Sequence, residues 1–160
     1  MKNLKLIYLI LVLIFGLVSQ ASAQTLRWTS FDHLTDSLRV RPKPIVIFIY
    51  TDWCKYCELM KQNTFANRQV IKALNEGFYL LALQAEDQES ITFLNRTYTF
   101  DYSGNETGTH QLATFLGKKN GILSYPTTVF ISPTLQRLGT HPNFLSDKEL
   151  LAILNTIQKN

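Results

Sequence analysis

Ile45-Val46-Ile47-Phe48-Ile49-Tyr50 is an unbroken β-branched and aromatic run that follows Pro42 and Pro44 and stops just before Cys54. A run without polar alternation reads as a strand buried on both faces of a sheet. From Cys57 the apolar positions Leu59, Met60, Phe65, Val70, Ile71 and Leu74 recur at near-helical spacing. They lead to Asn75-Glu76-Gly77, where glycine can supply a left-handed cap. Phe78 to Ala85 predicts a second buried strand, so the intervening helix becomes the right-handed crossover of a βαβ unit and the sheet is at least partly parallel. Cys54 and Cys57 then sit where a buried strand gives way to a helix.

The rest of the chain continues the α/β pattern. Ile91 to Tyr102, rich in Thr, Phe and Tyr, reads as a short hairpin or irregular insertion, and the polar stretch Ser103 to Gly108 follows it. Thr109 is placed to cap a short helix carrying Leu112, Phe115 and Leu116. Thr127 to Ile131 is a strand bounded by Pro126 and Pro133, with a hairpin return over Arg137 to Thr140. Ser146-Asp147-Lys148-Glu149 has the form of a capping box, and Leu150, Leu151, Ile153, Leu154 and Ile157 give the last helix its apolar face. At 160 residues there is room for one ordinary domain, and no internal repeat divides it.

Met1 to Ala23 is of a different character. Lys2 and Lys5 precede the apolar stretch Leu6 to Val18, and Ala21-Ser22-Ala23 has the small-x-small form of a signal-peptidase site. The stretch is shorter than the roughly 20 residues of a spanning helix. A cleaved export signal over 1–23 is therefore expected, followed by an N-terminal extension over 24–41 and a folded domain over 42–160. The formal charge of +4 falls to +2 once the two leader lysines are set aside. With no long basic run and no basic-aromatic interleaving, no nucleic-acid partner is expected, nor any membrane attachment after signal cleavage.

Trp53-Cys54-Lys55-Tyr56-Cys57 carries the chemistry. Two intervening residues let the sulfurs meet across one helical turn. The first cysteine lies at the helix N-terminus, where free N–H groups and the macrodipole favour a thiolate over a thiol. Lys55 adds a nearby positive charge. Such settings bring a cysteine pKa from ~8.5 into a range of about 3.5 to 7.5, which makes Cys54 the expected nucleophile and Cys57 its resolving partner. Other readings of the pair stay open: a structural disulfide, half of a zinc site, or copper handling by two sulfurs and one of His33, His110 and His141, all three expected at the surface.

The segment Tyr50-Thr51-Asp52-Trp53-Cys54-Lys55-Tyr56-Cys57 resembles the active site of the thioredoxin family, and Ser124-Tyr125-Pro126-Thr127 resembles its cis-proline loop. Lys43 to Phe65 is similar to the C-terminal thioredoxin-like domain of the DsbD disulfide reductases. The resemblance implies a thioredoxin-like fold, a central mixed sheet flanked by helices, with the insertion around 90–108 preceding the cis-proline loop. It also implies that Pro126 is cis beside the cysteines and that the Tyr125 backbone can pair with a substrate peptide as an added strand. Trp53, Tyr56, Tyr125 and Pro126 would form the substrate-binding rim.

Two positions depart from the family pattern. Phe48 stands where thioredoxins carry a buried aspartate, and Lys61 stands where the DsbD domain has a glutamate. Glu58, Asp52 or solvent are the remaining candidates to take the proton of the resolving cysteine. The function expected is that of an exported, monomeric thiol-disulfide oxidoreductase without cofactor or metal, periplasmic or secreted, leaning to reductase. Its partners would be cysteine-containing protein substrates and a protein redox partner. A non-catalytic thioredoxin-fold binding protein, chaperone-like or copper-carrying, is the alternative.

Overall fold

A computed structural model of the chain describes residues 24–159, so the expected export signal over 1–23 lies outside the described residues. The chain runs through α1 (Phe31–Val40), β1 (Ile45–Tyr50), α2 (Lys55–Leu59), a π-helical turn (Met60–Thr64), α3 (Arg68–Gly77) and β2 (Tyr79–Gln84). Four short strands follow, β3 (Ile91–Phe93), β4 (Arg96–Tyr98), β5 (Phe100–Tyr102) and β6 (Gly108–His110). Then come α4 (Gln111–Gly117), β7 (Thr127–Ile131), β8 (Arg137–Pro142) and α5 (Asp147–Lys159).

The central sheet has the order β2-β1-β7-β8. β1 pairs with β2 in parallel and with β7 antiparallel, so the sheet is mixed. Because side chains alternate along a strand, Ile45, Ile47 and Ile49 enter one core with Leu34 of α1 and Leu112 and Leu116 of α4. Val46 and Phe48 enter the other core, with both cysteines, Val70 and Leu74 of α3 and Leu150 and Leu154 of α5. All five of these β1 residues are fully buried, which is why the run shows no polar alternation.

The helix expected to run unbroken from Cys57 to Gly77 is instead interrupted. Phe65 donates its N–H to Met60 O at 3.0 Å, a widened turn, and the Thr64 hydroxyl donates to Leu145 O at 2.6 Å from a buried position. Asn67 then starts α3 afresh, its Oδ1 accepting from the Gln69 and Val70 N–H groups at 2.8 and 3.4 Å. Near-helical apolar spacing survives a one-residue widening, so periodicity alone does not reveal the break. Nor is Gly77 left-handed: a Cβ there would run into the Gln158 side chain, so its smallness serves close packing on α5.

The inserted strands form two small antiparallel pairs, β3-β4 and β5-β6. Thr109 lies within β6, and the residue that caps α4 is His110. The residues before β1 pack onto the same body: Thr29 donates its N–H to Leu80 O at 2.7 Å, and Leu34 is 1% exposed. At the opposite margin of the sheet, β8 carries a register irregularity opposite Phe130 and Ile131, and the Lys119 ammonium donates to Thr140 O at 3.2 Å.

Candidate active site

Cys54 and Cys57 form a disulfide, with a Cα–Cα distance of 5.2 Å. Cys54 is the N-cap of α2, in extended backbone conformation, and its Sγ accepts the Cys57 N–H at 3.1 Å. The backbone oxygen of Cys54 takes the N–H groups of Cys57 and Glu58 at 3.0 and 3.1 Å. A sulfur in this place faces the positive end of a helix, the setting that favours thiolate character. Cys54 keeps 6% of its surface exposed and Cys57 1%, so the first sulfur is the one nearer to solvent. Lys55, at the first position of α2, is exposed.

Around the pair the aromatic side chains divide by depth. Trp53 and Tyr56 are exposed, at 65% and 66%. The Trp53 ring meets Tyr125 edge-on, 5.9 Å between centroids, and Tyr125 packs partly buried against the cluster that contains both cysteines. The Tyr125–Pro126 peptide is cis, and Pro126 is buried. Burial pushes the Tyr125 phenol above its ordinary range, and the nearby Glu86 charge adds to the effect. The structure thus brings Trp53, Cys54, Cys57 and Tyr125 together, while Tyr56 projects to solvent between the cysteines.

Glu86 was not among the residues singled out by sequence. It stands just beyond β2, where both its carboxylate oxygens accept the Trp53 indole N–H at 3.0 Å. Nothing short-range in the sequence marks it, because the contact spans 33 residues.

Phe48 fills its position with an aromatic stack. It is fully buried, parallel to Tyr50 at 5.5 Å and edge-on to Phe65 at 5.0 Å. Lys61 folds over the Tyr50 ring with Nζ 3.9 Å from its centroid, a cation–π contact. Phe48, Tyr50, Lys61, Phe65 and Trp28 line a groove of about 440 Å³. Burial, with the charges of Asp52 and Asp87, raises the Tyr50 phenol. The two acids nearest in sequence are both at the surface and engaged by amides: Glu58 accepts from Gln62 at 2.8 Å and Asp52 from Gln84 at 3.3 Å. Among the described residues no carboxylate is buried.

The expectation of three surface histidines needs correction. His33 is exposed and His141 partly buried, but His110 is fully buried. Its Nδ1 accepts the Leu112 N–H at 3.1 Å, and its Nε2 lies 3.1 Å from Glu89 O, which the neutral ring with the proton on Nε2 satisfies on both sides. An extended β6 leading into a helix start can place an imidazole inward, and an isolated His-Gln pair gives no hint of it. Both ring nitrogens being engaged, His110 is not free to join the sulfurs as a metal ligand. Among the described residues no three His, Cys, Asp or Glu side chains cluster as a metal site.

Comparison with known proteins agrees with this geometry. The chain is 34% identical over 86 residues to the thiol:disulfide interchange protein DsbD of Escherichia coli K12, a match covering 50% of the chain and 15% of that relative. The chain therefore matches only a small part of the relative's length. Among solved structures, a thioredoxin from Thermus thermophilus superposes with a TM-score of 0.59 at 16% identity, covering 84% of this chain and 88% of the other. The DsbH oxidoreductase superposes with a TM-score of 0.60 at 15% identity, covering 89% and 90%. Residues 31–158 match the family model of the thioredoxin-like domain, a span that includes the Cys54–Cys57 disulfide, so the chain belongs to that family.

Proposed function

We propose that the protein exchanges disulfides with cysteine-bearing protein partners by an ordered two-step transfer. In the reduced protein the Cys54 thiolate attacks one sulfur of a partner disulfide, forming a mixed disulfide and expelling the other partner sulfur as a thiolate, which takes up a proton. The Cys57 thiolate, having given its proton to solvent or buffer, then attacks Cys54 Sγ and releases the second partner thiolate. The Cys54–Cys57 bond remains, and two electrons have passed to the partner. The observation that carries this reading is the Cys54 Sγ held at the start of α2 by the Cys57 N–H at 3.1 Å. Lys55 adds positive charge beside that sulfur.

Trp53, Tyr56 and Tyr125 form an apolar rim for the partner peptide, and the backbone before Pro126 offers it an extended edge. The likeness to the thiol:disulfide interchange protein DsbD supports disulfide exchange, and the resemblance of Lys43 to Phe65 to the DsbD disulfide reductases favours the reductive direction. The leader expected over Met1 to Ala23 supports export to the periplasm or beyond. The proposed working form is a monomer that receives its electrons from another protein.

Cys57→Ser is expected to accumulate mixed disulfides with partners, because attack survives while resolution is lost, and Cys54→Ser is expected to accumulate far fewer. Non-reducing gels of the two variants read the difference. Equal trapping would overturn the ordered mechanism, and failure of the wild type to accelerate insulin reduction by dithiothreitol would overturn the exchange activity.

A further inference from the structure

The inserted segment between β2 and α4 touches the rim of the disulfide centre through a continuous set of hydrogen bonds. Ala85, the residue after β2, donates its N–H to Tyr50 O at 2.8 Å and accepts the His110 N–H at 2.7 Å, so it is clamped between the end of β1 and the end of β6. Four residues on, Glu89 O lies 3.1 Å from His110 Nε2. The loop between these anchors is drawn tight by Asp87, whose Oδ1 accepts the Glu89 N–H at 3.0 Å, and by Gln84, whose side-chain oxygen accepts the Glu86 N–H. On this loop Glu86 puts both carboxylate oxygens on the Trp53 indole, which in turn lies edge-on to Tyr125.

We infer that this insertion braces the partner-docking rim: neutral His110 holds the loop after β2, and Glu86 on that loop fixes Trp53 against Tyr125. Both are positioning residues, since neither touches the sulfurs. The inference rests on the exchange reading above. His110 suits the task because its neutral ring uses one nitrogen as acceptor and the other as donor. A second proton would leave the Nε2–H bond to Glu89 O in place but turn Nδ1 into a donor facing the Leu112 N–H, so that the ring, and the loop it holds, is pushed away from the start of α4. The charges acting on the ring are those of Asp87 on the loop and Asp101 of β5, Glu89 meeting it through the backbone carbonyl, while α4 carries no charged side chain. Docking of a protein partner should therefore weaken in acid by a route separate from titration of the thiols.

Two experiments test this. First, Glu86→Ala and His110→Asn are assayed for reduction of insulin and of oxidised glutathione. The KM for insulin is expected to rise about fivefold, as for the loss of one ordinary hydrogen bond, with kcat changed less than twofold and a smaller effect on the small disulfide. Second, oxidised Trp28→Phe protein, which retains Trp53 as its sole indole, is titrated by fluorescence, free of any thiol ionisation. Its emission is expected to change at a pH below about 6.5, the ordinary histidine value, and the same change is expected to vanish when His110→Asn is added. An unaltered insulin KM in Glu86→Ala, a surface substitution that leaves the core intact, would overturn the brace. So would an emission titration that His110→Asn leaves in place. If the wild type reduces neither disulfide, the exchange reading fails instead, and the emission titration still judges the brace.

Discussion

At the scale of single residues, the two sulfurs differ in what surrounds them. Cys54 caps α2 and keeps a margin of exposure, while Cys57 lies one turn inside the helix and is enclosed. With the protein reduced, iodoacetamide at mildly acid pH is expected to label Cys54 about tenfold faster than Cys57, as read by peptide mass spectrometry; faster labelling of Cys57 would reverse the assigned roles. His110 has a second consequence, in stability. Burial holds its pKa below the ordinary value. The unfolded chain thus takes up a proton at a pH where the native ring refuses it, and the native state loses stability as pH falls from about 6.5 through the native pKa. Urea unfolding at pH 7 and pH 5 is expected to show a larger drop in midpoint for wild type than for His110→Asn, and equal drops would contradict the buried neutral ring. The cysteine pair and its aromatic neighbours were legible in the sequence because their chemistry is local. Glu86 and the burial of His110 were not, because each depends on a partner brought in from a distant segment.

At the scale of elements, β1 and β2 were legible from continuous apolar runs, and the last helix from its capping box. Glu149 does accept both the N–H and the hydroxyl of Ser146, at 2.9 and 2.6 Å. The break between α2 and α3 was not legible, since its cause is tertiary: Thr64 is drawn to Leu145 O, and Asn67 is shared between the start of α3 and Asp147, to which its Nδ2 donates at 2.7 Å. Asn67→Ala is expected to cost about 1 to 2 kcal/mol by removing the cap of α3. Thr64→Val should cost about 1 to 2 kcal/mol by leaving the buried Leu145 oxygen without its donor. Chemical denaturation measures both, and a neutral Thr64→Val would mean that the π-helical turn does not depend on this tie.

At the scale of the whole molecule, the region preceding β1 is part of the body that carries the active site. Leu34 enters the core shared by α4 and β1, and Phe31 meets Phe93 of the insertion edge-on at 5.9 Å. Leu34→Ala is expected to cost about 2 to 5 kcal/mol, the range for truncating a buried leucine, and a loss under 1 kcal/mol in urea unfolding would show α1 to be a loose appendage. The two margins of the sheet are treated differently. Beside β2, the backbone of Trp28 and Thr29 lies against Leu80. Among the described residues no backbone pairs with the outer edge of β8, but its ladder is irregular opposite Phe130 and Ile131, the Lys119 ammonium occupies Thr140 O, and the strand ends in Pro142, which has no N–H to give. A strand so interrupted makes a poor template for another chain to zip onto, and this guards a concentrated solution of the folded protein against edge-to-edge growth into fibrils.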